Sequence, residues 1–269
     1  MAKKILFLFL ALISSNIIYS QGIITDRPDK TESVETVGKN KFQIETGVEY
    51  SLLKFNGYDG SPFFDLVEFK IKTLTIPTTL LRFGITKNVE LRLGFDFDRS
   101  ELITGDTTVI ASTGKLSLNP PTIGAKIFLA KGKGYIPDFS IIGAVKIPDI
   151  GDELKQVKHF IPELAFSFSN ELNDKLGLGY NLGAEWSDDL KNANFFYSAS
   201  LGIELTPRLG SFIELYGNFP TDYYSSDQNI DGGFTYVIKN NIQVDVYGGL
   251  GLSEISNDFM LGTGVALKF

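Results

Sequence analysis

From Phe42 onward the chain alternates apolar and polar residues with a period of two, in runs separated by turn-forming clusters. In the clearest run Val89, Leu91, Leu93, Phe95 and Phe97 alternate with Glu90, Arg92, Gly94, Asp96 and Asp98. Another sets Phe42, Ile44, Thr46, Val48, Tyr50 and Leu52 against Lys41, Gln43, Glu45, Gly47, Glu49 and Ser51. Period two belongs to a strand whose two faces meet different solvents. The runs match the ~9–11 residues that a tilted strand needs to cross a bilayer. They predict an all-β fold over 41–269, a transmembrane antiparallel up-and-down β-barrel of about twelve strands.

The connections alternate in length. Short turns are expected at Thr86–Asn88, Lys131–Gly134, Leu172–Lys175, Thr206–Arg208 and Lys239–Asn241, and longer loops near 55–67, 99–116, 148–160, 187–193, 220–230 and 253–258. Short periplasmic turns and long external loops are the bacterial barrel pattern. Outward aromatics then form two girdles. Phe69, Phe95, Phe97, Trp186, Phe195, Tyr197, Phe219, Phe234 and Phe259 fall at the upper strand ends, and Phe42, Phe83 and Phe269 at the lower. The external loops are acidic, with Asp106, Asp149, Asp152, Asp188, Asp189, Asp222 and Asp258 among their residues. Their reading is either plain solvation or a mouth that attracts cations, including the divalent ions held by lipopolysaccharide. In the last run Phe259, Leu261, Thr263, Val265, Leu267 and Phe269 share one face. That strand is expected to pair with the first, because an open edge in lipid leaves backbone groups unsatisfied. A terminal aromatic such as Phe269 resembles the signal read by the outer-membrane assembly machinery.

Lys3 and Lys4 precede an apolar run from Ile5 to Ile13 and a small, polar stretch from Ser14 to Ser20. This reads as a signal peptide over 1–20, since the run is far short of the ~20 residues of a spanning helix. Residues 21–40 are polar and precede the first strand, as either a loose periplasmic leader or a plug of the lumen. The chain has no cysteine, which removes disulfides, thiol catalysis and Cys-based metal sites. A net charge of −7 argues against nucleic acid as a partner. Expected partners are outer-membrane lipid and lipopolysaccharide, the assembly machinery and a small-molecule solute, in the outer membrane of a Gram-negative cell. No cofactor or metal is expected.

The segment Thr25-Asp26-Arg27-Pro28-Asp29-Lys30-Thr31-Glu32-Ser33, with Lys41-Phe42-Gln43-Ile44-Glu45-Thr46-Gly47, resembles the opening of a known outer-membrane barrel family. So does Leu80-Leu81-Arg82-Phe83-Gly84-Ile85-Thr86-Lys87-Asn88-Val89-Glu90-Leu91-Arg92. That family is described as transporters, or as meta-pathway phenol-degradation proteins. The resemblance implies passage of small, aromatic compounds and fixes no substrate.

The inward face carries the candidate lumen residues: Glu45, Arg82, Glu90, Arg92, Lys126, Glu163, Glu185, Glu204, Glu214 and Asp245, with Tyr216 and Tyr247. They are either a wall-holding network of pairs or a hydrated selectivity surface. Twelve strands leave space inside, and Asp26, Arg27 and Asp29 are the plug candidates, with Arg27 pairing to lumen carboxylates. Inward glycines Gly47, Gly249, Gly251, Gly262 and Gly264 make the closing seam the barest wall, the place for a plug or a solute. The favoured reading is a channel passing small solutes by passive diffusion. Its rivals are a non-conducting structural or surface-binding barrel and, third, a lipid-modifying enzyme. For the enzyme, the lone histidine, His159, has no neighbouring nucleophile or orienting partner in the sequence, so no catalytic residue is assigned.

Overall fold

The computed structural model describes residues 23–58, 66–104, 108–153, 155–221 and 225–269. The expected signal peptide over 1–20 and the loop residues Asp106 and Asp222 lie outside them. Among the described residues fourteen strands are formed: β1 (Phe42–Tyr58), β2 (Leu66–Gly84), β3 (Val89–Thr104), β4 (Thr108–Ser112), β5 (Ser117–Leu118), β6 (Thr122–Ala130), β7 (Asp138–Lys146), β8 (Ile161–Asn173), β9 (Leu176–Trp186), β10 (Ala193–Thr206), β11 (Leu209–Pro220), β12 (Gln228–Lys239), β13 (Ile242–Gly251) and β14 (Phe259–Lys268). Each barrel strand pairs antiparallel with its neighbours, β3 passing directly to β6, and β14 pairs with β1. The result is a closed twelve-strand barrel, with β4 and β5 as appendages on β3. Closure satisfies the ladder all the way round, as a wall in lipid requires. At the seam Phe42 and Phe269 exchange both backbone hydrogen bonds, and their rings lie 6.3 Å apart.

Apolar residues on the outward face remain exposed, among them Leu91, Leu182, Phe195, Phe219, Phe234, Val246 and Leu261. The largest fully buried side chains are Arg82, Lys126, Gln43, Glu45, Glu90 and Glu214. This inversion follows from a solvent that is apolar outside the wall. The lower girdle is fuller than the sequence reading, because Phe139, Phe168 and Tyr180 stack in line across β7, β8 and β9 at 5.0 and 5.1 Å.

Two expectations are corrected. Much of the loops placed near 55–67 and 99–116 is strand: β1, β2 and β3 continue to Tyr58, from Leu66 and to Thr104. Above the bilayer both faces meet water, so apolar alternation no longer marks a strand. Phe69 was expected to face lipid. Two residues of β2, Ile76 and Pro77, stand opposite one residue each of β1 and β3, so β2 carries a bulge there. One extra residue reverses which side chains point which way. Above the bulge Phe69 pairs with Phe55 and with Thr104, so the three share one side, which β1 keeps in register with buried Ser51.

Candidate functional site

The segment 23–40 lies inside the barrel and is held to its wall residue by residue. At the periplasmic end Asn40 N–H donates to the Gly84 carbonyl at 2.8 Å. Gly84 must be glycine, since a Cβ there would stand 1.8 Å from the Gly38 oxygen. Moving inward, Val37 N–H donates to Glu90 on β3, and Arg82 on β2 donates to the Glu35 carbonyl. The Val34 carbonyl accepts from Ser140 on β7, Ser33 from Lys126 on β6, and Glu32 from Ser167 on β8 and Asn181 on β9. The Thr31 hydroxyl meets Ser198 on β10 and Glu214 on β11. Arg27 and Thr25 reach Asp245 and Gln243 on β13, and the Ile24 carbonyl accepts from Gln43 on β1. The segment thus touches strands on every side of the lumen, mostly with its own backbone.

Its anchor is a buried ion cluster. Arg82 donates to Glu90 through two nitrogens at 2.9 and 3.1 Å and to Glu45 at 2.8 Å. Arg92 spans Glu90 at 3.0 Å and Asp26 at 2.6 Å, with Glu32 beyond at 2.7 Å. Lys126 donates to both Asp26 oxygens at 3.0 Å. Asp26 also accepts from its own segment at Ser33 N–H, 2.9 Å, while Asp26 N–H donates to Glu45. Burial alone would raise the Asp26 carboxyl, but Arg82, Lys126 and Arg92 outweigh it and hold it well below the usual carboxylate range. The two sequence blocks that carry the family resemblance therefore meet in space: Asp26 comes from the first, and Arg82, Glu90 and Arg92 from the second.

Arg27 occupies the bare seam. Its guanidinium bonds Asp245 at 3.1 Å and Thr78 at 3.0 Å. It lies flat over Gly47 and Gly264, where Cβ atoms would stand 2.4 and 2.3 Å from Nη2. Tyr247 covers Gly262 in the same way and donates to Glu49 at 2.7 Å. Beside the seam, Asp29 faces Glu214 on β11 and Asp231 on β12; burial, then the Glu214 charge, push its carboxyl up to about 7. Asp231 is buried and neither of its carboxyl oxygens has a hydrogen-bond partner among the described residues. On the extracellular side of Asp26 and Arg27 lies a cavity of about 730 Å³. Leu80, Pro120 and Val157 line it together with Asp96, Asn119, Lys146 and Lys155.

Residues 25–269 match the family model described as "Putative MetA-pathway of phenol degradation". The chain belongs to that family. No curated protein matches it in sequence. Among solved structures, it is similar to an outer-membrane channel from Pseudomonas putida, at TM-score 0.65 and 13% identity, over 91% of this chain and 100% of that one. It is also similar to the translocator domain of the autotransporter NalP from Neisseria meningitidis, at TM-score 0.52 and 12% identity, over 86% and 89%. Both likenesses concern the barrel fold, and with the family they place the protein among outer-membrane barrels.

In this family member the candidate residues divide by depth. Glu45, Arg82, Glu90, Arg92 and Lys126 converge on Asp26, while Asp245 takes Arg27, Glu214 takes Thr31 and Lys30, and Tyr247 takes Glu49. Higher up, Glu185 pairs with Lys146 at 2.7 Å, and Glu163 stands opposite Glu185. Tyr216 donates to the Met260 sulfur. Glu204 stands apart, exposed at the periplasmic rim beside Lys175. His159 is exposed in the loop after β7, its Nδ1 2.7 Å from the Asp188 carbonyl. Sequence reasoning missed Ser140, Ser167, Asn181 and Ser198. All are small polar residues at inward positions, and that shared pattern was the available signal.

Proposed function

We infer that the protein is a passive outer-membrane channel for small aromatic solutes with a polar substituent, closed at rest by residues 23–40 acting as a plug. The observation that carries this reading is the cavity above Asp26 and Arg27. Its floor is the plug, and its wall sets Leu80, Pro120 and Val157 beside Lys146 and Lys155. An aromatic ring suits the first group and a hydroxyl or carboxylate the second. The family description links related chains to phenol degradation, which agrees with that chemistry. The apolar side chains above the mouth support it as well, since Leu53, Phe55, Phe69, Ile71 and Leu102 share the side that continues the inner wall.

Planar-bilayer recording and liposome swelling with phenol, benzoate and a neutral sugar test the reading. Rare openings in the native protein, frequent ones after Arg27→Ala, and uptake of the aromatics ahead of the sugar are expected. Silence from both proteins would favour the structural-barrel reading, which the many plug-to-wall hydrogen bonds also accommodate.

A further inference from the structure

The bulge at Ile76–Pro77 does more than reorient Phe69. Had β2 kept the alternation set by buried Arg82, Lys70 and Lys72 would face the mouth and Phe69 and Ile71 would face lipid. With the extra residue, Lys72 stands beside Leu52 and Lys70 beside Lys54. On β1, Leu52 and Lys54 lie on the face opposite buried Gln43, Glu45 and Ser51, and the β1–β14 ladder reaches Leu52 without a shift. Arg99, paired with Leu74, continues the same outer face on β3. Four cations therefore share the outside of one three-stranded ledge, on a chain whose net charge is −7.

Their height is set by β1. Lys72 is level with Leu52, ten residues above Phe42 of the lower girdle. At ~3.4 Å per residue and a tilt of ~40° that is about 26 Å, against an apolar band ~25 Å tall. The Tyr50 and Phe259 rings, 5.9 Å apart and tilted to each other, mark the upper girdle at and just below this level. Lys54 and Lys70 stand about 5 Å higher on the same arithmetic, at the level of lipid headgroups. The acids on this face are Glu68, 3.0 Å from Lys70, and Glu101, 2.6 Å from Arg99. Lys54 and Lys72 have no ion-pair partner among the described residues. Asp258 accepts from the Lys54 backbone.

We propose that Lys54, Lys70, Lys72 and Arg99 form a docking surface for the phosphates of the outer-leaflet glycolipid, with its acyl chains lying along Leu74 and the upper girdle below. Phosphate is the group that a fork of Arg and point charges of Lys recognise. A bulge that re-aims side chains is the device that brings them to it.

The test uses the full-length protein in detergent micelles, titrated with bis-phosphorylated lipid A and followed by native mass spectrometry. Each lysine near an anionic surface contributes about five-fold in affinity, so Lys70→Gln with Lys72→Gln should weaken binding about thirty-fold. Dephosphorylated lipid A should bind the native protein as weakly as the intact lipid binds this variant. Millimolar inorganic phosphate should leave lipid A bound, since a lone phosphate lacks the acyl anchor. Lys158→Gln with Lys191→Gln makes the same change of charge in another loop region and should leave affinity unchanged. Heat-dependent gel mobility confirms that each variant is a folded barrel. Equal affinity of the Lys70/Lys72 variant and the native protein would overturn the proposal, as would equal weakening by the control pair. Displacement by inorganic phosphate would overturn the lipid as the source of the phosphate.

Discussion

Replacing Asp26 by Asn tests whether one carboxylate pins the plug. Arg92, Lys126 and Arg82 lie 2.6, 3.0 and 3.3 Å from its oxygens, and every partner is nearly or fully excluded from solvent. Removing one member of a buried ion cluster costs about 3–5 kcal/mol, mostly because the others stay buried without their counter-charge. Asn keeps the shape and one acceptor, so the lower end of that range applies. A cost of about 3 kcal/mol raises the unseated population roughly a hundred-fold, since ~1.4 kcal/mol is tenfold. The wall's own ladder does not pass through Asp26, so the barrel should still form. Single-channel recording should show open bursts at least fifty-fold more frequent, with the burst conductance set by the emptied lumen, if about 3 kcal/mol is lost. Adding Lys126→Gln removes one orphaned cation and should recover part of the closure, a coupling a double-mutant cycle measures. Glu204→Gln, at the exposed rim, should behave as the native protein. A folded Asp26→Asn barrel whose trace and resistance to protease near residue 30 match the native protein would refute the pin.

Arg27→Ala removes the bonds to Asp245 and Thr78 and uncovers Gly47 and Gly264, so openings should rise in the same assay; an unchanged trace would sink the role given to Arg27. Burial, then the Glu214 charge, push the seated Asp29 carboxyl up to about 7 from an ordinary 3.8, with Asp231 and Asp26 also facing it. A raised carboxyl stabilises the seat below the ordinary value and loses that contribution as pH rises through the seated one. Open-burst frequency should therefore climb between about pH 4 and pH 7 and level off above, while Asp29→Asn flattens that part of the profile. Gly84→Ala would drive a methyl into the Gly38 carbonyl, displacing the turn before β1; faster proteolysis of residues 38–41, with the barrel intact, is the expected sign.

Much of this was legible from one sequence. Alternation placed Arg82, Glu90, Arg92, Lys126 and Glu45 on the inner face, because period two needs no knowledge of partners. The seam was legible too: Gly47, Gly262 and Gly264 fall on that face, and the structure lays Arg27 and Tyr247 over them. Phe69 was misread because a bulge is visible only when two strands are paired, and the residues around Ile76 and Pro77 alternate no worse than their neighbours. The strand beyond Lys54 and Asp98 was lost for a different reason, since a ladder in water on both sides carries no apolar stripe.

The sequence by itself determined a chain that alternates along the length of its barrel, and so a closed wall with polar residues within. Lipid outside and water inside impose that pattern locally, one residue after the next. Tertiary structure decided what the inner charges do. Asp26 meets Arg82, Arg92 and Lys126 only because pairing sets β2, β3 and β6 side by side in register and the segment 23–40 lies against their inner face. Which charges pair and which cavity stays open depend on strand register, and register exists only between strands.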